Sequence, residues 1–210
     1  MESKLKELGI PYIYMGDYLE ESPLGKAEWM VVAGEVAGRR KEAREAFGDI
    51  PERYDAVKKR LQSAAEPAEP AKAILNSPYG GAWYVPDENS YMVRLLKDAG
   101  AEPMAVSSRG GTTIDMEEAY QKASDADYWL NVGSGIGSIE ELKSRLPKFS
   151  GVKAVKDGKV YDSTLLSTPG GGNDFYESGV LNPDLVLRDM IKIFHPELVD
   201  EPFIYYKKLE

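Results

Sequence analysis

Residues 72–106 read KAILNSPYGGAWYVPDENSYMVRLLKDAGAEPMAV. Lys72–Asn76 is a short apolar run and predicts a strand. Asn89–Ala99 carries apolar residues at helical spacing, is closed by Gly100 and predicts a helix; Glu102–Val106 predicts a second strand. Further on, Asp115–Ala123 predicts a helix with Asp115 as N-cap and Glu118 at the third helical position. Tyr128–Val132 predicts a strand, and Ser138–Leu146 a helix opened by a Ser138-x-x-Glu141 capping box. Val160–Asp162 predicts a short strand after the Asp157-Gly158 turn, and Asn182-Pro183 opens a last helix running to about Phe194. Strands alternating with helices predict an α/β fold: a mainly parallel sheet with helices on both faces.

Working towards the start, residues 65–71 (AEPAEPA) form a Pro-punctuated connector and the natural junction before this unit. Ser22 followed by Pro23 is an N-cap with proline at the first helical position, and Leu24, Ala27, Trp29, Met30, Val31, Val32, Ala33 and Val36 make the ensuing helix apolar on most sides. From Arg39 the composition changes to charged helix formers, with Pro51 as a kink or restart. Leu8–Met15 (LGIPYIYM) predicts one buried strand.

The 210 residues carry 26 Lys and Arg against 35 Asp and Glu, a formal charge of −9. That balance argues against a phosphate backbone as partner, so nucleic acid is not expected. No apolar run approaches the roughly 20 residues of a membrane span, and Met1–Glu7 holds no apolar signal-like core. With no cysteine and His195 as the one histidine, thiol nucleophiles, disulfides and cysteine zinc sites are excluded. His195, at the end of the last helix before Pro196, reads as structural.

Three segments carry candidate chemistry. Gly133–Ser138 follows a strand and opens a helix, a place where main-chain N–H groups can hold an anion; it matches a dinucleotide fingerprint only loosely. The loops Ser77–Tyr84 and Thr168–Gly179 mix glycines with large aromatics near the carboxyl ends of strands, where open α/β sheets bind ligands. Trp83, Tyr84, Phe175 and Tyr176 either present rings to a ligand or cover the sheet edge. No base stands beside a nucleophile, which favours a binder over an enzyme.

Taken together, the apolar helix from Ser22, the loop AILNSPYGGAWYVP, the AlaAspTyrTrpLeuAsn strand at 126–131, the segment VKAVKDGKVYD and the ending TPGGGNDFYESGVLNPDLVLRDMIKIFHPEL resemble substrate-binding proteins of ABC importers for iron-siderophore, haem or cobalamin, in particular a Bacteroides-type branch. The likeness runs from about Leu8 to Tyr206. It implies two α/β lobes joined by a rigid helix, with ligand between them. By that resemblance, residues 1–22 are the remnant of an amino-terminal lobe, 23–64 the connecting helical section and 72–210 the carboxyl-terminal α/β lobe, one lobe of a fragment. It also implies that Tyr79, Trp83, Tyr84, Asn173, Phe175 and Tyr176 line the cleft, and that Glu177 docks to an arginine of the membrane permease. A single histidine disfavours a bare metal. No cofactor is expected, the ligand being an iron chelate, haem or corrinoid, with the phenolate of Tyr79, Tyr84 or Tyr176 as a candidate direct iron ligand in the haem case. The family implies a periplasmic or cell-envelope location. Two alternatives stay open: a nucleotide-dependent α/β enzyme using Gly133–Ser138, and an interaction module that lost transport and self-associates through the surface a missing lobe would cover.

Overall fold

The structure, a computed structural model, describes residues 2–64, 69–133 and 135–210. Most of the connector at 65–71, and Ser134, lie outside the described residues. The chain opens with α1 (Glu2–Glu7), and the strand expected at Leu8–Met15 is not formed. A β-prone run needs a neighbouring strand to satisfy its main chain, and here none lies alongside. Leu8, Ile10, Ile13, Tyr14 and Met15 are exposed.

The expected connecting section is three helices rather than one: α2 (Pro23–Val36), α3 (Arg40–Phe47) and α4 (Ile50–Ser63). Ser22 caps α2, its Oγ accepting from the Gly25 N–H at 3.2 Å. Gly38, at φ 69°, then reverses the chain. At Gly34 the two helices touch so closely that a Cβ would sit 2.3 Å from Ala43 Cβ. Pro51 in the first turn restarts the helix as α4. Arg53 of α4 donates to Asp184 from Nε (2.8 Å) and from a terminal nitrogen (3.4 Å). Tyr54 donates to Asp98 at 2.7 Å. These bonds seat the helical section on the α/β unit.

That unit runs β1 (Ala71–Leu75), β2 (Pro78–Tyr79), β3 (Ala82–Val85), α5 (Tyr91–Asp98), β4 (Ala101–Met104), β5 (Thr112–Ile114), α6 (Met116–Asp125), β6 (Tyr128–Leu130), α7 (Ile139–Arg145), α8 (Lys153–Lys156), β7 (Val160–Asp162), α9 (Ser178–Leu181), α10 (Pro183–Phe194) and β8 (Lys207–Lys208). The main sheet has the order β4-β1-β6-β7-β8, parallel except for the antiparallel edge strand β8. Both faces are covered, as a parallel sheet requires. Ala73, Leu75 and Leu130 point into a core shared with α4, α5 and α10, while Ile74 and Trp129 point into a second core on the opposite face.

A second, three-stranded antiparallel sheet, β2-β3-β5, is not foreseen by the sequence reading. Its hairpin pairs Pro78 with Trp83 and Tyr79 with Ala82. Gly80 and Gly81 turn it at φ 59° and 84°, a left-handed pair that suits glycine in two-residue hairpins. Trp83 locks this sheet to the main one: its ring stacks on Trp129 at 5.3 Å, and its Nε1 donates to Leu75 O at 2.9 Å.

The carboxyl-terminal strap is held by one buried carboxylate. Asp189 of α10 is wholly buried, and its Oδ2 accepts from the N–H groups of Ile204, Tyr205 and Tyr206 at 2.9, 2.7 and 3.2 Å. Tyr205 and Tyr206 in turn pack edge-on against Phe175.

Candidate functional site

Three of the parallel strands end the same way. β1, β4 and β6 are each followed at once by a residue in the left-handed region: Asn76 at φ 68°, Ala105 at φ 54° and Asn131 at φ 59°. Non-glycine residues rarely adopt this conformation, asparagine excepted. Asn76 is fixed from several sides. Its N–H donates to Leu130 O (3.0 Å), its side chain donates to Tyr84 O (3.3 Å), and its carbonyl accepts from the Trp129 indole (2.6 Å). At the end of β7, Asp162 is buried and accepts from Gly133 N–H at 3.1 Å and from the Thr164 hydroxyl at 2.8 Å. The sharp turns expose main chain and short polar side chains at the carboxyl edge of the sheet.

Two adjoining cavities open there. The first, about 470 Å³, is lined by carboxamides, hydroxyls and carboxylates, among them Asn76, Ser77, Asn131, Asp162, Asn173 and Glu177. The second, about 550 Å³, is more apolar and is walled by Tyr18, Tyr84, Tyr91, Phe175 and Tyr176, with Lys26 and Asp87 at its polar points. Asn76 and Tyr176 belong to both. Tyr176 therefore stands as a partition between a polar and an aromatic compartment. Its phenol is held above the usual range by burial, with the Asp162 charge adding and the Ser163 hydroxyl opposing. The Tyr91 phenol is pushed up by burial, with Tyr205 adding.

The structure gathers Tyr84, Asn173, Phe175, Tyr176 and Glu177 of the expected residues. Tyr84 is half exposed, and Gly111 leaves room for it, since a Cβ there would meet the Tyr84 hydroxyl at 2.0 Å. Asn173 caps the short turn at Asp174–Tyr176, its Oδ1 accepting from Phe175 N–H at 3.1 Å. Phe175 faces inward while Tyr176 next to it is 68 % exposed. Glu177 is exposed on the rim of the first cavity.

One expectation is corrected. Trp83 has no exposed surface and cannot line a cleft: neighbouring strand residues point to opposite faces, so with Tyr84 outward Trp83 must be core. Tyr79 lies on the hairpin, 92 % exposed, and lines neither cavity. The sequence reading missed Asn76, Asn131, Asp162 and Tyr91; the available signal was an asparagine directly after each of two apolar strands.

In the Gly133–Ser138 segment several N–H groups are already engaged, Ile136 N–H by Gly133 O at 3.2 Å among them. Gly137 N–H already donates to Glu141 Oε2 at 2.7 Å, and Glu141 N–H donates to Ser138 Oγ at 3.2 Å. The Gly137 N–H is thus already taken by a carboxylate. Ser134 lies outside the described residues. Among the described residues no group of three or more His, Asp or Glu is placed to hold a metal ion, and no helix is long and apolar enough to cross a membrane.

The geometry has counterparts among known proteins. The family model for periplasmic binding proteins matches residues 17–164. An uncharacterized lipoprotein of Methanocaldococcus jannaschii is 28% identical over 207 residues, covering 93% of this chain and 45% of the relative. The chain spans about half the length of the curated relatives it matches, 45% of that one and 53% of a second from the same organism. Among solved structures, a TroA-like periplasmic binding protein, FepB from Veillonella parvula, superimposes with a TM-score of 0.64 at 17% identity, covering 100% of this chain and 68% of that one. S. aureus IsdE complexed with haem superimposes with a TM-score of 0.60 at 21% identity, covering 93% and 72%. The mainly parallel sheet flanked by helices is the TroA-like fold.

Proposed function

Because this chain belongs to the periplasmic binding protein family, a family of solute binders and not of enzymes, we propose that it is the ligand-holding part of a solute-binding component of an ABC importer, and that its cargo is a metal complex: an iron-siderophore, haem or a corrinoid. The observation that carries this reading is Tyr176 standing between a polar and an aromatic compartment at the carboxyl ends of the parallel strands. Such a pair of compartments suits a large chelate with an apolar face and a polar rim. Residues 23–64 serve as the helical section beside the lobe formed by 72–210, and 1–22 as the remnant of an amino-terminal lobe, of which Tyr18 and Glu20 reach the second cavity. Glu177, exposed on the rim, is the contact for a basic site on the permease. The lipoprotein relatives support a place at the cell envelope.

A thermal-shift titration with haemin, cobalamin and ferric siderophores tests the reading. One ligand at about 100 times its Kd stabilises the chain by about 2.7 kcal/mol, enough to raise the Tm by several degrees. The Tyr176→Ala variant, binding about tenfold more weakly, keeps only about half of that stabilisation. Absence of a shift with every ligand would refute the proposal.

A second reading, self-association, rests on the number of exposed apolar side chains in the first 36 residues, among them Leu8, Ile13, Tyr14, Leu19, Val32 and Val36. Sedimentation velocity across a concentration series decides it, with a monomer at every concentration counting against it.

A further inference from the structure

The charges around the two compartments are one-sided, and they deepen the solute-binding reading on which this inference rests. Among the described residues, those lining the polar compartment include the carboxylates Asp162 and Glu177 and no lysine, arginine or histidine. Its other polar groups are the carboxamides of Asn76, Asn131 and Asn173 and hydroxyls such as Ser77 and Thr164. Asp162 is 1 % exposed; among the described residues no cation pairs with it, and the Gly133 N–H and the Thr164 hydroxyl donate to it.

The aromatic compartment holds Glu20, Glu21 and Asp87 against Lys26 alone. Glu21 is taken by Arg94 at 3.1 Å, and Asp87 by the N–H groups of Asn89 and Gly110, both at 2.8 Å. Lys26 is itself directed over the Tyr91 ring, 5.2 Å from its centroid. Arg145 and Lys207 line a third cavity that adjoins the polar compartment through Thr164, Gly171 and Asn173; there Arg145 faces Glu141 at 3.7 Å. The chain as a whole carries a formal charge of −9.

A ligand edged with carboxylates or catecholates would bring negative charge beside Asp162 and Glu177 with no cation in that compartment to receive it. A ligand edged with amide or ammonium N–H groups would find acceptors throughout. We infer that this site discriminates by charge: it takes metal complexes whose rim is neutral or cationic and rich in N–H donors, and it rejects polyanionic ones, with Glu177 and Asp162 as the discriminating groups.

The test is calorimetric titration of the chain with four probes: a ferric trihydroxamate bearing a free ammonium group, cyanocobalamin with its amide rim, a ferric tris-catecholate, and haemin. The expected result is binding of one or both of the first two, tighter than either anionic probe by about tenfold or more. One unit charge about 10 Å from a carboxylate, at an effective dielectric of about 20, already supplies that ratio. Raising the salt narrows the gap. Glu177→Lys, at an exposed position, narrows it by about fivefold, the upper end of what one exposed ion pair contributes.

Equal or tighter binding of the tris-catecholate or haemin would overturn the charge discrimination and leave the solute-binding reading intact. Binding of none of the four would overturn both.

Discussion

Replacing Asp189 by asparagine isolates one carboxylate on which the end of the chain depends. Its Oδ2 accepts from three successive N–H groups, at Ile204, Tyr205 and Tyr206, and its Oδ1 accepts from Arg188 at 3.3 Å. An asparagine whose oxygen replaces Oδ2 keeps the three main-chain bonds but turns each from charge-assisted to neutral. At about 1 kcal/mol per bond, that costs about 3 kcal/mol. Its amide nitrogen then faces the Arg188 guanidinium donor to donor. Arg188 is largely buried and keeps Pro202 O at 3.1 Å as its remaining partner, so the total comes to about 4 kcal/mol. For a chain of this size 1 kcal/mol moves the Tm by about 2–4 °C, so a drop of about 10 °C is expected. Thermal melts followed by far-UV circular dichroism measure it, and urea titration supplies the free energy. Because Tyr205 and Tyr206 support Phe175, hydrogen exchange at 173–178 should quicken as well. A Tm within about 2 °C of the parent, with unchanged exchange in that loop, would refute the assignment of the strap to Asp189.

Tyr176→Ala and Tyr84→Ala should each weaken ligand binding about tenfold in fluorescence titration through loss of an aromatic wall, whereas Tyr79→Ala, on the exposed hairpin, should leave the Kd unchanged. Trp83→Ala should cost about 3–5 kcal/mol in urea unfolding, as for a fully buried tryptophan, and Trp83→Phe should recover most but not all of it because the bond to Leu75 O is lost. The Asp127 carboxyl is held below its ordinary value of 3.8: burial pushes it up, but the Lys72 N–H at 3.0 Å and the Lys153 ammonium at 3.1 Å outweigh that. Its contribution is therefore complete above about pH 4 and is lost as the pH falls below 3.8, where the unfolded chain takes up the proton first. Asp127→Asn should flatten that part of the stability profile in denaturation measured between pH 5 and pH 2.5.

The βαβ rhythm was legible because both its faces are buried, so strands read as apolar runs and helices as 3.6-residue patterns between recognisable caps. Ser22, Asp115 and Ser138 each cap as their residue types imply, and the last helix begins at Pro183 and ends at Phe194 as expected. Leu8–Met15 misled because β-propensity describes a surface that fits a sheet, while pairing depends on a neighbour that composition does not name. Parts of both aromatic-glycine loops line the two cavities, but which rings face them was not legible. In Ala82–Val85 alternate burial sends Trp83 in and Tyr84 out, a division visible only once the segment is known to be a strand. The polar compartment was hidden for a different reason: Asn76, Asn131 and Asp162 come from three separate strand ends, and only the parallel register brings them together.

The left-handed residues that close β1, β4 and β6 bear on the thermodynamic signature of binding. Each sits in a narrow conformational well, and Asn76 is tied to two further strands by its N–H, its amide and its carbonyl. Little main-chain freedom is left at the floor of the cavity for a ligand to remove. Association there should carry a small entropic penalty from the protein, with most of the ordering cost confined to the loop around Tyr176. Cargo recognition could then diverge by changes in that loop alone, over a floor that does not have to be rebuilt.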